Sequence, residues 1–160
     1  MAQVAYAVSQ HTASVPKEGI VSGVAGRDVS RIIKETRIVP VANVTERAVL
    51  FVCPQDYFAD FRSIQVFSGE VPSDADGTVL LDIFERDASA DTEATIVDDF
   101  NLETLTRDEG SKPTLAGVIT LPRTLDEHDS IRALVINNTV AIDTAGEVCI
   151  RLVIDLRSKF

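Results

Sequence analysis

The chain has no tryptophan, one methionine, two histidines and two cysteines in 160 residues. Each scarcity removes a class of function. Only His11 and His128 can act as bases near neutral pH. Neither lies in a nucleophile-elbow or papain-like context, so nucleophilic catalysis is not expected. His128 sits in Asp126-Glu127-His128-Asp129 and reads as a polar turn residue. Cys53 and Cys149 are far apart, with neither CxxC spacing nor neighbouring histidines, which excludes the common zinc patterns and argues against a disulfide framework. They read as buried, reduced, apolar thiols. Sugar-binding sandwiches usually rely on exposed tryptophan or tyrosine, and here tryptophan is missing altogether. No run approaches the roughly 18 apolar residues that cross a membrane as a helix. The opening MAQVAYAVSQHTASVP has no basic segment followed by a compact apolar block. The expectation is a protein made in a cytoplasm, with no membrane partner; Asn137-Asn138-Thr139 then carries no meaning as a glycosylation sequon.

What is present is a moderately apolar, acidic chain with a formal net charge of −10. Residues 1–69 carry a net of +1 and residues 110–160 a net of 0, so residues 70–109, at −11, hold the entire excess. A surface of that sign repels phosphate backbones, which excludes nucleic acid as a partner of this region. Its simplest role is a solvated face that keeps a concentrated protein in solution. The length suits one domain, and a chain of this size buries roughly 70% of its unfolded surface without metal or disulfide.

Residues 1–36 differ from the remainder. Pro16, Gly19, Gly23 and Gly26 interrupt them and their apolar content is diffuse. Asp28 is placed to cap a short helix carrying Val29, Ile32 and Ile33 at helical spacing. The segment reads as an N-terminal arm. Ordering each residue of an arm costs about 1–2 kcal/mol, so the arm is expected to lie along another chain. Its Gly19-to-Gly26 stretch has neither Walker nor dinucleotide spacing, so no phosphate cradle follows.

From residue 37 the pattern has period two. Ala48 to Cys53 is apolar on both faces and reads as a central strand. Ile64 and Val66, then Val79, Leu81 and Ile83, then Ala94 and Ile96, then Ile131 to Ile136 read as further strands, with an Asx-rich hairpin turn at Asp87–Asp91. The last is the plainest: Val148, Ile150, Leu152, Ile154 and Leu156 alternate with Cys149, Arg151, Val153 and Asp155, one row facing the core. Helix is confined to short turns at Asp99–Thr106, capped by an aspartate, and at Pro54–Arg62, where Tyr57, Phe58 and Phe61 would share a face. The sum is an all-β fold: a single antiparallel β-sandwich over residues 37–160, jelly-roll or immunoglobulin-like, with an extended arm over residues 1–36.

Two other features invite chemistry. Asp74-Ala75-Asp76-Gly77 resembles the opening of a calcium loop with Glu85 at its twelfth position. Residues 78–84 read as a strand, however, and Val79 stands where such a loop needs glycine, so a tight turn is expected instead. Tyr57, Phe58 and Phe61 either plug one end of the sandwich or form a subunit contact. With Val29, Ile32 and Ile33 they are the candidate interface residues; no catalytic, cofactor-binding or metal-ligating residues are assigned, and no cofactor is expected.

The stretch Asp76–Asp155 resembles the small virion proteins of tailed bacteriophages that decorate or cement the capsid. The resemblance lies in Asp76-Gly77-Thr78 opening a strand, the Asp87–Asp91 hairpin and Val97-Asp98-Asp99-Phe100-Asn101-Leu102. It continues through Leu125, Asp129-Ser130-Ile131, Asn137-Asn138 and Ala141-Ile142-Asp143, and it covers about half the chain. It implies a non-enzymatic homo-oligomer, often a trimer, that binds the major capsid protein or other virion proteins and stabilises the head shell. Its location would then be the virion, after synthesis in the host cytoplasm. A neck, tail or fibre-attachment component and a carbohydrate-binding module are the alternatives. A metal-dependent enzyme would need a ligand cluster that the sequence does not display.

Overall fold

The computed structural model describes residues 10–14, 29–40, 47–75, 77–117, 120–137 and 142–160, the first of these as backbone alone. Nine strands are described: β1 (Gln10–Ser14), β2 (Val29–Ile38), β3 (Ala48–Val52), β4 (Tyr57–Glu70), β5 (Val79–Asp87), β6 (Thr92–Asn101), β7 (Arg123–Leu125), β8 (Ser130–Asn137) and β9 (Glu147–Ser158). They form two antiparallel sheets, ordered β1-β2-β9-β4-β7 and β3-β8-β5-β6. The all-β sandwich is therefore the architecture, and among the described residues there is no α-helix.

The core lies between the sheets. Val148, Ile150, Leu152 and Ile154 of β9 are buried against Val79, Leu81 and Ile83 of β5 and Ile131, Ala133 and Val135 of β8 in one apolar cluster. The alternation of β9 reaches the structure unchanged because a strand flanked on both sides by partners has no freedom to slip by one residue. The expected hairpin forms between β5 and β6. Asp87 makes it, its Oδ1 accepting from the amides of Ser89 and Ala90 at 2.8 and 2.9 Å, while Asp91 takes a left-handed φ of 53°.

Four expectations need correction. The helix after Asp28 does not form: Val29–Ile38 is a strand, paired residue for residue with β9 from Val29↔Arg157 to Ile38↔Val148. Val29, Ile32 and Ile33 have helical spacing, but all three are β-branched and suit a strand, and ten ladder positions against β9 decide for it. β2 thus runs through residue 37, and residues 29–36 pair with β9. Residues 1–9 and 15–28 of the arm lie outside the described residues, as do Asp28, Asp76 and Asn138–Ala141.

The turn expected at Pro54–Arg62 is shorter than one helical turn. Asp56, at φ 66°, reverses the chain, and Tyr57 already begins β4. The helix expected at Asp99–Thr106 shrinks to a 3-10 turn, Leu102–Thr104, whose cap is Asn101: its side-chain oxygen accepts from the Glu103 amide at 2.9 Å. Asp99 instead lies in β6 at φ 52°. Finally, among the described residues β3 is an edge strand, not a central one. Its apolar outer positions, Val49 and Val52, are 43% and 48% exposed.

Candidate functional site

Among the described residues the outer faces of the two sheets are available for function. On the outer face of the five-stranded sheet, strand alternation sets Arg31, Ile33 and Glu35 of β2 beside Arg157, Asp155, Val153 and Arg151 of β9, and these beside Phe58, Asp60 and Phe67 of β4. The ionic groups interlock. Arg31 donates through Nε to Asp155 Oδ1 at 2.8 Å, and Arg62 donates through Nε to Asp155 Oδ2 at 2.9 Å. Arg157 grips both oxygens of Asp60, at 2.8 and 2.9 Å, and Thr124 of β7 adds a hydroxyl at 2.8 Å. Both carboxylates are buried beneath these side chains.

The hydrogen bond from Arg31 holds the Asp155 carboxyl below its ordinary range, against the opposing effect of burial. Burial pushes the Asp60 carboxyl up, but the hydrogen bonds from Arg157 and Thr124, with the charges of Arg157 and Arg62, outweigh it. Such a face has its charges satisfied internally. It offers a firm, polar surface rather than a seat for phosphates.

The six candidate interface residues do not form one patch. Phe61 is fully buried and packs the core. Ile32 points inward and packs against that core from β2. Val29 and Ile33 lie on the outer face, half-buried. Phe58 also lies there, its ring beneath Arg157 at 5.7 Å and Lys159 at 4.8 Å. Tyr57 is exposed at the start of β4. Helical spacing placed Tyr57, Phe58 and Phe61 together; strand alternation sends Phe58 to the opposite face, and the extended chain leaves Tyr57 at the end of β4, four residues from Phe61.

The outer face of the four-stranded sheet is different. Leu80, Leu134 and Ile136, half-buried, form an apolar strip, and beside it Arg47 covers the Phe84 ring at 4.4 Å while pairing with Glu93 at 3.0 Å. Asp82, Asp98 and Asp99 converge next to this strip, their carboxylate oxygens within 4.8 Å of one another. The sequence did not point to this trio, because a bulge between β5 and β6 is what folds Asp98 and Asp99 back over Asp82. Burial, and then the charges of Asp99 and Asp98, push the Asp82 carboxyl up, against the hydrogen bond it accepts from the Asp99 amide at 2.8 Å.

The remaining candidates fall into structural roles. Glu85 is held by Arg123 of the facing sheet, and the Asp74 amide donates to Glu103 at 2.7 Å, so Asp74 and Glu85 do not share a loop. His128, at φ 70°, closes the Asp126–Asp129 turn. Ser89, in the same shallow cleft, donates its hydroxyl to Asp87 at 2.7 Å and not to an imidazole. The Cys53 thiol is buried and pushed up to about 11, first by burial and then by Asp129 and Asp126, the reverse of what an attacking thiolate requires. Cys149 is also unpaired with another cysteine, and burial raises it as well.

No protein-family profile and no curated protein matches the chain. Among solved structures the fold is similar to a chain of the cyanophage Pam1 capsid asymmetric unit. The TM-score is 0.52 at 13% identity, over 89% of this chain and 94% of that one. At that identity the likeness is one of fold. It spans both sheets of the sandwich, and not a shared fragment.

Proposed function

We propose that this protein is a non-enzymatic structural component of a tailed-phage virion, a decoration or cement protein that binds and stabilises the head shell. The observation that carries the reading is the likeness of nearly the whole fold to a chain of a phage capsid asymmetric unit. Three features support it. The acidic excess of residues 70–109 makes that region a poor seat for nucleic acid. The described histidine and cysteine environments lack an activated nucleophile. The outer face of the five-stranded sheet is cross-braced by charged side chains from β2 through β9 to β4.

On this reading Val29, Ile33 and Phe58, with Tyr57 at the sheet's end, contribute to the contact with the major capsid protein or with further copies of the chain, in trimers or another closed ring. The test is sedimentation of phage heads through a density gradient in the presence of the full-length protein. The expected result is co-sedimentation at a fixed copy number per capsid protein, with greater resistance of the heads to heat or chelation. Binding to a tail or neck fraction alone would assign it to another virion part. Recovery only at the top of the gradient would overturn the virion role.

A further inference from the structure

Among the described residues the two sheets are unequal, five strands facing four, and the inequality leaves a place that no described strand fills. β2 lies opposite β3: the Lys34 ammonium on β2 sits 5.9 Å from the centre of the Phe51 ring on β3. β1, the next strand outward, therefore lies beyond the free edge of β3, and no described strand of the second sheet faces it.

The wall of this ledge is β3 itself. Ala48-Val49-Leu50-Phe51-Val52 contains no charge, proline or glycine, and one side of its backbone has no partner strand among the described residues. Edge strands are ordinarily blunted by such residues, by bulges or by brevity; here only the short length and the irregularity at Leu50 serve. Val49 and Val52 stand exposed along it.

The ledge also limits what can occupy it. Strands in a sheet are about 4.8 Å apart, so the place opposite β1 is one strand wide. A second copy cannot pair its β3 with this β3, because its own β2, which must face its β3, would then need the position that β1 holds. Lys34 adds a preference of charge. It is half-buried, no carboxylate among the described residues lies within ion-pair range, and burial lowers its hold on the proton.

We infer that the edge of β3 receives a single extended segment of a partner protein, added as a fifth strand opposite β1. The segment carries a carboxylate side chain toward Lys34 and apolar side chains beside Val49. This is strand addition with main-chain hydrogen bonds for affinity and alternate side chains for selection. It goes beyond the virion reading and stands on the strand geometry and on the place of Lys34.

The experiment uses the full chain and synthetic probes: a seven-residue peptide alternating valine and glutamate, its valine–lysine counterpart, and the first peptide with alternate backbone nitrogens methylated. Amide exchange and NMR shifts of residues 48–52 are followed up to millimolar peptide. The expected result is fast exchange of outward β3 amides in the free chain, protection by the glutamate peptide, and loss of protection on N-methylation. An ion pair with Lys34 should favour the glutamate over the lysine peptide by about two- to fivefold, and Lys34→Gln, which keeps the fold, should erase that preference. Slow exchange of those amides in the free chain would mean that its own residues cover the edge. That outcome, or no protection by any peptide, overturns the inference, and neither bears on sedimentation with phage heads.

Discussion

Asp60 and Asp155 face each other across the β4–β9 pair, two buried carboxylates joined by Arg62, which lies 3.5 Å from the first and 2.9 Å from the second. Two like charges at adjacent positions of a sheet should repel. Arg31 and Arg157 at the flanks, with Arg62 between, turn the pair into an alternating row of five charges. This row ties β2, β9 and β4 together on the solvent side, while the apolar core ties them on the other.

The row makes the fold sensitive to acid. Both carboxyls are held below the usual 3.8, so the unfolded chain binds more protons than the folded one as pH falls. Their contribution is present above about pH 4 and is lost as pH drops through the depressed folded values. Asp155→Asn should lower stability at neutral pH by about 1–2 kcal/mol, allowing for the solvent exposure of its arginine partners. It should also flatten the fall in stability below pH 4. Urea titrations at several pH values measure both effects; an unchanged acid slope would show that the row does not set it.

Asp82 behaves in the opposite sense. Its folded carboxyl is raised, so the folded chain holds the proton more tightly, and stability declines as pH rises from 3.8 through the folded value. Asp82→Asn removes the charge and keeps an oxygen to accept from the Asp99 amide. The expected gain at neutral pH is about 0.5–1 kcal/mol, read as a higher thermal midpoint. A loss of stability would mean that the three aspartates are held together by something other than their own bonds.

Leu152→Ala should cost about 2–5 kcal/mol, since the side chain is buried at the centre of β9 between the sheets. Val153→Ala, one residue on and on the outer face, should cost less than about 1 kcal/mol. Chemical denaturation of the two variants tests the register of the whole strand, because a slip of one residue would exchange the results.

Gly146 precedes β9 at φ 63°, and a Cβ there would meet the Glu70 carbonyl oxygen and lie 2.6 Å from the Pro72 nitrogen. Gly146→Ala should therefore destabilise by at least about 2 kcal/mol through left-handed strain and steric contact together. Gly117 also has a positive φ, 54°, but open space around it, so Gly117→Ala should show the conformational part alone. Comparing the two midpoints separates strain from crowding.

The class of fold, the row of β9 residues that faces the core and the Asp87–Asp91 hairpin were legible in the sequence. Each rests on contacts that are mainly local or strictly periodic: alternation over nine positions admits one reading, and an aspartate two residues before a serine amide accepts from that amide within the turn itself. β2 was not legible, because Val29, Ile32 and Ile33 share a helical face and split between the two faces of a strand, and only the ladder to β9, more than a hundred residues away, overrides that local spacing. The same is true of Phe61, whose burial follows from which face of β4 meets the core. Edge and centre look alike in a run such as Ala48–Val52, since being apolar on both faces does not say whether a neighbour is present. The Asp60–Asp155 row, the Asp82 trio and the ledge beside β3 were decided by tertiary structure alone. They depend on strand order, register and a bulge, which are relations between distant segments and leave no periodic mark in either one.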